Sequence, residues 1–231
     1  DVYKRQKEER TPRAASSRKD GLNMIARTAP MGWNSWNTFG PNINEELIRQ
    51  MADVMVEKGY RDAGYEYLVI DDCWSLKQRD ENGLLVADPE KFPHGMKAVA
   101  DYVHSKGLKF GMYSCAGVRT CAGYPSSFDH EFVDAQTFAD WGVDFLKYDF
   151  CNFPANGDCK MRYQTMSMAL KATGREILFS ACNWGREDPW HWMRSASSRR
   201  ISNLWMTSAA CPLRSRTTCA IITLTTCLPC R

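Results

Sequence analysis

Apolar positions along the middle of this chain follow two alternating rhythms. Leu47, Met51, Val54 and Met55 recur at three- and four-residue steps, the period of a helix with one buried face. Asn44 is placed to cap that helix, acids fill its first turn, and Lys58-Gly59 stops it. Met96, Val99, Ala100 and Val103 predict a second helix ending at Lys106-Gly107. Phe128, Phe132, Ala135 and Phe138 predict a third ending at Gly142, and Tyr163, Met166 and Leu170 a fourth ending at Gly174. Between them lie short apolar runs of strand type: Tyr67–Ile70, Lys109–Tyr113, Val143–Tyr148 and Ile177–Ala181. An earlier run, Pro30–Trp36, precedes the first helix.

Strand–helix alternation of this kind predicts an α/β fold with a parallel sheet. An open doubly wound sheet calls for a glycine-rich phosphate turn after an early strand. The chain has neither G-x-G-x-x-G nor G-x-x-x-x-G-K-[ST]. Carboxylates and aromatics instead close successive strands, which is where a (β/α)8 TIM barrel keeps its chemistry. Five βα units are readable. A whole barrel takes about 250 residues, so about five-eighths of one is expected here.

Charge divides the 231 residues into three parts. Residues 1–28 carry eight Lys/Arg against four Asp/Glu and almost no large apolar residues, the composition of a disordered leader. Residues 29–188 are acidic, with sixteen basic and twenty-three acidic side chains. All 27 acids lie before residue 189, and the last 43 residues hold six Arg and no acid. The expected organisation is a leader over 1–28, a partial catalytic barrel over 29–194, and an atypical tail over 195–231 that is not native barrel sequence. An acidic body excludes nucleic acid as a partner. No apolar run reaches the length of a membrane helix, and no secretory signal is readable. With Asp1 as the true start, the expected compartment is the cytoplasm. Oligomeric state is not readable.

The strand-end residues are Trp33, Trp36, Asp71, Asp72, Tyr113, Lys147, Asp149, Asn183 and Trp184. A barrel brings them to one mouth. Carboxylates accept hydrogen bonds from sugar hydroxyls, and flat rings cover the apolar face of a pyranose. Each residue taken singly has a plainer role open to it. Asp71-Asp72 can cap a helix, the tryptophans and Tyr113 can pack, Lys147 and Asp149 can form a structural ion pair, and Asn183 can shape a turn. No G-x-S-x-G elbow occurs, and His94, His104, His130 and His191 lack metal spacing. Cys227-Leu-Pro-Cys230 has C-x-x-C spacing but no second pair and no strand–helix context. No metal or other cofactor is expected.

Several runs together resemble the α-galactosidases, or melibiases, of glycoside hydrolase family 27. They are Ala29-Pro-Met-Gly-Trp-Asn-Ser-Trp36, Ile70-Asp-Asp-Cys-Trp74, Phe110-Gly-Met-Tyr113, Thr120-Cys-Ala-Gly123, Asp134–Asp144 and Leu146-Lys-Tyr-Asp149. The resemblance covers residues 28–194. It implies a (β/α)8 barrel followed by a C-terminal β-sandwich, and the chain as given is expected to lack the sandwich. It also implies a retaining α-galactosidase acting on small or oligosaccharide α-galactosides without a cofactor. Asp149 then matches the nucleophile, and Lys147 a ligand of galactose hydroxyls that supports Asp149. Asp71 and Asp72 match the pair that grips the 4- and 6-hydroxyls. Trp36 and Tyr113 match pocket aromatics, and Cys121 and Cys151 a disulfide framing the pocket. Asn183 falls where the family reads the 2-substituent.

One departure is large. The family's acid/base Asp follows the next strand, and no acid occurs here beyond Asp188. The chain as given is therefore expected to be inactive. An α-N-acetylgalactosaminidase or related pyranosidase remains an alternative, as does a non-catalytic galactose-binding remnant.

Overall fold

The structure, a computed structural model, describes residues 29–195 and a short strand at 204–206. The leader assigned to 1–28, most of the tail assigned to 195–231 and the Cys227–Cys230 pair lie outside the described residues.

The order of elements is β1 (Met31–Asn34), α1 (Trp36–Phe39), α2 (Glu45–Glu57), β2 (Tyr65–Val69), α3 (Gly95–Ser105), β3 (Lys109–Cys115), α4 (Glu131–Trp141), β4 (Phe145–Asp149), α5 (Cys159–Ala172), β5 (Leu178–Cys182), α6 (Pro189–Ser195) and β6 (Leu204–Met206). The strands form one sheet in the order β1-β2-β3-β4-β5-β6. Every neighbouring pair is parallel. Helices α2 to α5 pack in chain order beside one another. This is a partial (β/α)8 barrel.

The local signals act as read. Asn44 caps α2 by accepting a hydrogen bond from Leu47 N at 2.8 Å. Gly142 ends α4 in the left-handed region at φ 85°, where a side chain would be strained. One helix face differs from the expected one. Phe132 is 54% exposed, while Glu131 and Asp134 are buried on α4. Those carboxylates face inward because guanidinium groups meet them there. Arg79 bonds both oxygens of Asp134 at 2.7 Å, and Arg162 reaches Glu131 at 3.1 Å.

The sheet separates two cores. The outer one, between strands and helices, holds Leu68, Phe110, Leu146, Phe179 and the inward faces of α2 to α5. The inner one is the small group Tyr67, Val69, Phe145 and Leu178. Register aligns Val69, Gly111, Phe145 and Leu178 across four strands. Gly111 makes that layer possible, since a Cβ there would stand 2.7 Å from Val69 Cγ2 and 3.1 Å from the Phe145 ring.

The sheet also runs past residue 194, where the sequence ended the barrel. Residues Leu204–Met206 pair in parallel with Phe179–Ala181 as a sixth strand. Three residues are too few for their pattern to stand out from the surrounding text.

Candidate active site at the strand C-termini

Side chains on one face of a strand recur every second residue. Two residues above the inner apolar layer, register aligns Tyr113, Lys147 and Ser180. Two further on, it aligns Cys115, Asp149 and Cys182. The polar layers therefore sit directly on the apolar floor, at the C-terminal ends of β3, β4 and β5.

Asp149 is 6% exposed and its carboxylate is held from three sides. Phe150 N donates to Oδ1 at 2.8 Å, and Trp184 Nε1 to the same oxygen at 3.0 Å. Tyr113 Oη donates to Oδ2 at 3.2 Å. The Tyr113 hydroxyl is held in its protonated form, first by burial and then by the charge of Asp149. It therefore stays a donor to that carboxylate.

Lys147 pairs not with Asp149 but with Asp71, Nζ lying 2.8 Å from Oδ2. Asn34 Nδ2 donates to the same oxygen at 2.7 Å. Burial works against the Lys147 charge, but Asp71 and Asp149 outweigh it and hold the ammonium above its ordinary pKa. The ammonium also lies 5.1 Å from the Tyr113 ring centroid.

Asp71 and Asp72 are each 2% exposed and organise the chain after β2. Asp72 N donates to Asp71 Oδ1 at 2.9 Å, and Cys73 N to Asp72 Oδ1 at 2.8 Å. The other oxygen of Asp72 accepts from Ala122 N at 2.9 Å. Burial raises the Asp72 carboxyl above its usual range, against the pull of those amide donors. Cys121 and Cys151 form a disulfide whose Cα atoms are 5.0 Å apart. It lies beside Asp149, with Cys121 Sγ 3.6 Å from Oδ2.

The structure thus brings Asp71, Tyr113, Lys147 and Asp149 together, with Asp72 and Cys121 at the rim. Trp33 is core, at 1% exposure, and Trp36 opens to solvent at 37%. Asn183 is not joined to the cluster. Its side chain is buried in its own turn, Nδ2 donating to the Arg186 carbonyl at 2.8 Å and Oδ1 accepting from Gly185 N at 3.3 Å. An amide can satisfy both backbone groups of such a turn, which withdraws it from the mouth. The next residue reaches Asp149 instead. Trp184 adopts φ 57°, which throws its indole toward β4. Its place at a strand end was legible, but not which of two adjacent side chains points inward. Asn34 was missed altogether, although it lies within the Gly32–Trp36 run.

These features define the class first: a partial (β/α)8 barrel with a carboxylate-lined, lysine-bearing mouth. The chain belongs to the melibiase family described as alpha galactosidase A, glycoside hydrolase family 27, whose model matches residues 28–209. It is 50% identical over 194 residues to alpha-galactosidase A of Cellvibrio japonicus, covering 84% of this chain and 46% of that protein. The solved alpha-galactosidase I of Mortierella vinacea superposes with a TM-score of 0.72 at 44% identity, over 78% of this chain and 45% of the other. The Saccharomyces cerevisiae α-galactosidase with raffinose does so with a TM-score of 0.70 at 47% identity, over 74% and 38%. The chain spans about half the length of the curated relatives it matches.

Proposed function

We propose that this chain carries the galactose-gripping and nucleophilic part of a retaining α-galactosidase site. The observation that supports this most directly is the Asp149 carboxylate, fixed by Tyr113, Trp184 and Phe150 N beside the Lys147–Asp71 pair. Asp149 attacks the anomeric carbon of an α-galactoside. The carbon–oxygen bond to the leaving group breaks as the glycosyl ester forms. Lys147 offsets negative charge between Asp71 and Asp149 and donates to ring hydroxyls. Asp71 and Asp72 accept from the hydroxyls farthest from the anomeric carbon. Retention requires a second carboxyl group about 5–5.5 Å from the first, to protonate the leaving oxygen and then activate water. No Asp or Glu follows Asp188 in this sequence.

The substrate class we assign is a terminal α-galactosyl residue on a small sugar. Raffinose, the sugar seen with the Saccharomyces relative, is a suitable probe. The grip formed by Lys147, Asp71 and Asp72 needs no catalytic step and favours a second reading, galactose binding without turnover. Calorimetric titration with galactose, run beside a nitrophenyl α-galactoside rate assay, separates the two. Binding with turnover supports the first, and binding alone the second. No binding by either wild-type chain or Asp149→Asn overturns both.

A further inference from the structure

Arg79, a short way past Asp72 in the chain, gathers three separate segments on one guanidinium. Its two terminal nitrogens take the two oxygens of Asp134 on α4, each at 2.7 Å. The same nitrogens donate to the Gly83 carbonyl at 2.8 Å and to the Ser126 carbonyl at 2.7 Å. Asp134 is fully buried, and the Arg79 side chain is only 13% exposed. The bonds to Asp134 satisfy its buried charge, while the other two go to loop backbone on either side of it. We propose that Arg79 is a positioning residue for the sugar site, acting on Asp72 through residues 119–125. The inference rests on the reading of Asp72 as a sugar ligand.

Two hairpins carry the effect. In the first, Ser75 bridges Ala87 antiparallel and Leu76 N donates to the Val86 carbonyl at 2.8 Å. Arg79 stands on it, beside the turn that Gly83 closes. In the second, Arg119 bridges Pro125, Thr120 N donates to the Tyr124 carbonyl at 3.0 Å, and Tyr124 N to Thr120 Oγ1 at 3.0 Å. Its base runs into Ser126, which Arg79 holds. Its tip carries Ala122, whose N donates to Asp72 Oδ2 at 2.9 Å. The Ala122 amide and the Thr120 side chain both act to lower the Asp72 carboxyl, against its burial.

The Cys121–Cys151 disulfide and the bond from Asn152 Nδ2 to the Thr120 carbonyl, at 2.9 Å, tie the second hairpin to the chain after β4. A body fastened along one side still tilts. Arg79 fastens the other side, toward the segment that carries Asp72. The angle at which the Ala122 amide meets Asp72 is set between these two ties.

Lysine separates the charge from the positioning. An ammonium pairs with Asp134 as a point charge, but it lacks the planar fork that serves a carboxylate and two carbonyls together.

The test uses the full chain as Arg79→Lys and as Arg79→Met/Asp134→Asn, the second leaving no buried charge unpaired. Amide hydrogen exchange is followed residue by residue. In both variants the Ala122 amide should exchange at least about tenfold faster, while Met112 within β3 keeps its protection. Unchanged Ala122 exchange in either variant overturns the proposal. So does equal acceleration of Ala122 and Met112, which is what an arginine that only stabilises the fold produces. Galactose titration adds a functional arm. Each variant should bind roughly threefold to tenfold more weakly, and adding Asp72→Ala to it should cost nothing further. Losses that add overturn the route through Asp72. A wild-type chain that binds no galactose defeats the reading of Asp72 as a sugar ligand, while Ala122 exchange still decides whether Arg79 places the amide on it.

Discussion

Lys147 Nζ sits 2.8 Å from Asp71 Oδ2, across 76 positions of sequence. The contact joins the middle of β4 to the residue two beyond β2, and β3, which carries Tyr113, lies between those strands. Three strands thus share one electrostatic unit. Lys147 is 18% and Asp71 3% exposed at the side chain, so neither charge has much water to fall back on.

Removing one partner leaves the other charge buried and unpaired. Lys147→Ala is expected to cost roughly 3 kcal/mol of stability and to weaken galactose binding. Lys147→Met combined with Asp71→Asn should recover much of the stability and none of the binding. Thermal melting and galactose titration of the three variants check this. A double variant as unstable as Lys147→Ala would show that the pair acts through packing.

Asp71→Ala and Asp72→Ala should each weaken galactose binding by about 1–3 kcal/mol, because sugar hydroxyls lose their acceptors. Asp72→Ala also frees Ala122 N, so its melting temperature should fall as well. Unchanged galactose affinity in both variants would reduce the pair to a loop organiser.

Asp149→Asn should retain galactose binding and show no turnover of nitrophenyl α-galactoside, since an amide does not form the glycosyl ester. The unaltered 231-residue chain should itself turn over slowly, about 10²–10⁴-fold below a relative with a general acid. Equal rates in Asp149→Asn and the wild-type chain at measurable turnover would remove Asp149 from the nucleophile's role.

Glu45 gives a pH test remote from the mouth. Its burial raises the carboxyl, but hydrogen bonds from Arg49, His94 N and the His94 ring prevail and hold it below its ordinary value. A depressed carboxyl contributes stability above its unfolded pKa and loses it as pH falls through the folded one. Glu45→Gln should therefore cost about 1–2 kcal/mol at neutral pH. The gap to wild type should close as pH drops below about 4. Denaturant melts at several pH values measure it, and a gap independent of pH would refute the argument.

The helices and strands were legible in the chain because their signals are local. Asn44 caps within three residues, Lys58-Gly59 stops within two, and the apolar period of α2 or α5 is complete inside one element. Even the strand-end position of Asp71 and Asp149 was readable, since strand length is a local property, whereas Lys147 stands in the middle of β4. Contacts were not. That Lys147 meets Asp71 and not Asp149, that Trp184 and not Asn183 turns to the nucleophile, and that Asn34 joins the cluster all depend on register between strands far apart in sequence. The same holds for Glu131 and Asp134, whose burial on α4 needed Arg162 and Arg79 from other elements. Period two along a strand says which side chains share a face, but only the paired sheet sets which of them stand at the same height. Tertiary structure decided the site for that reason: its hydrogen bonds are chosen by neighbours that no window of sequence contains.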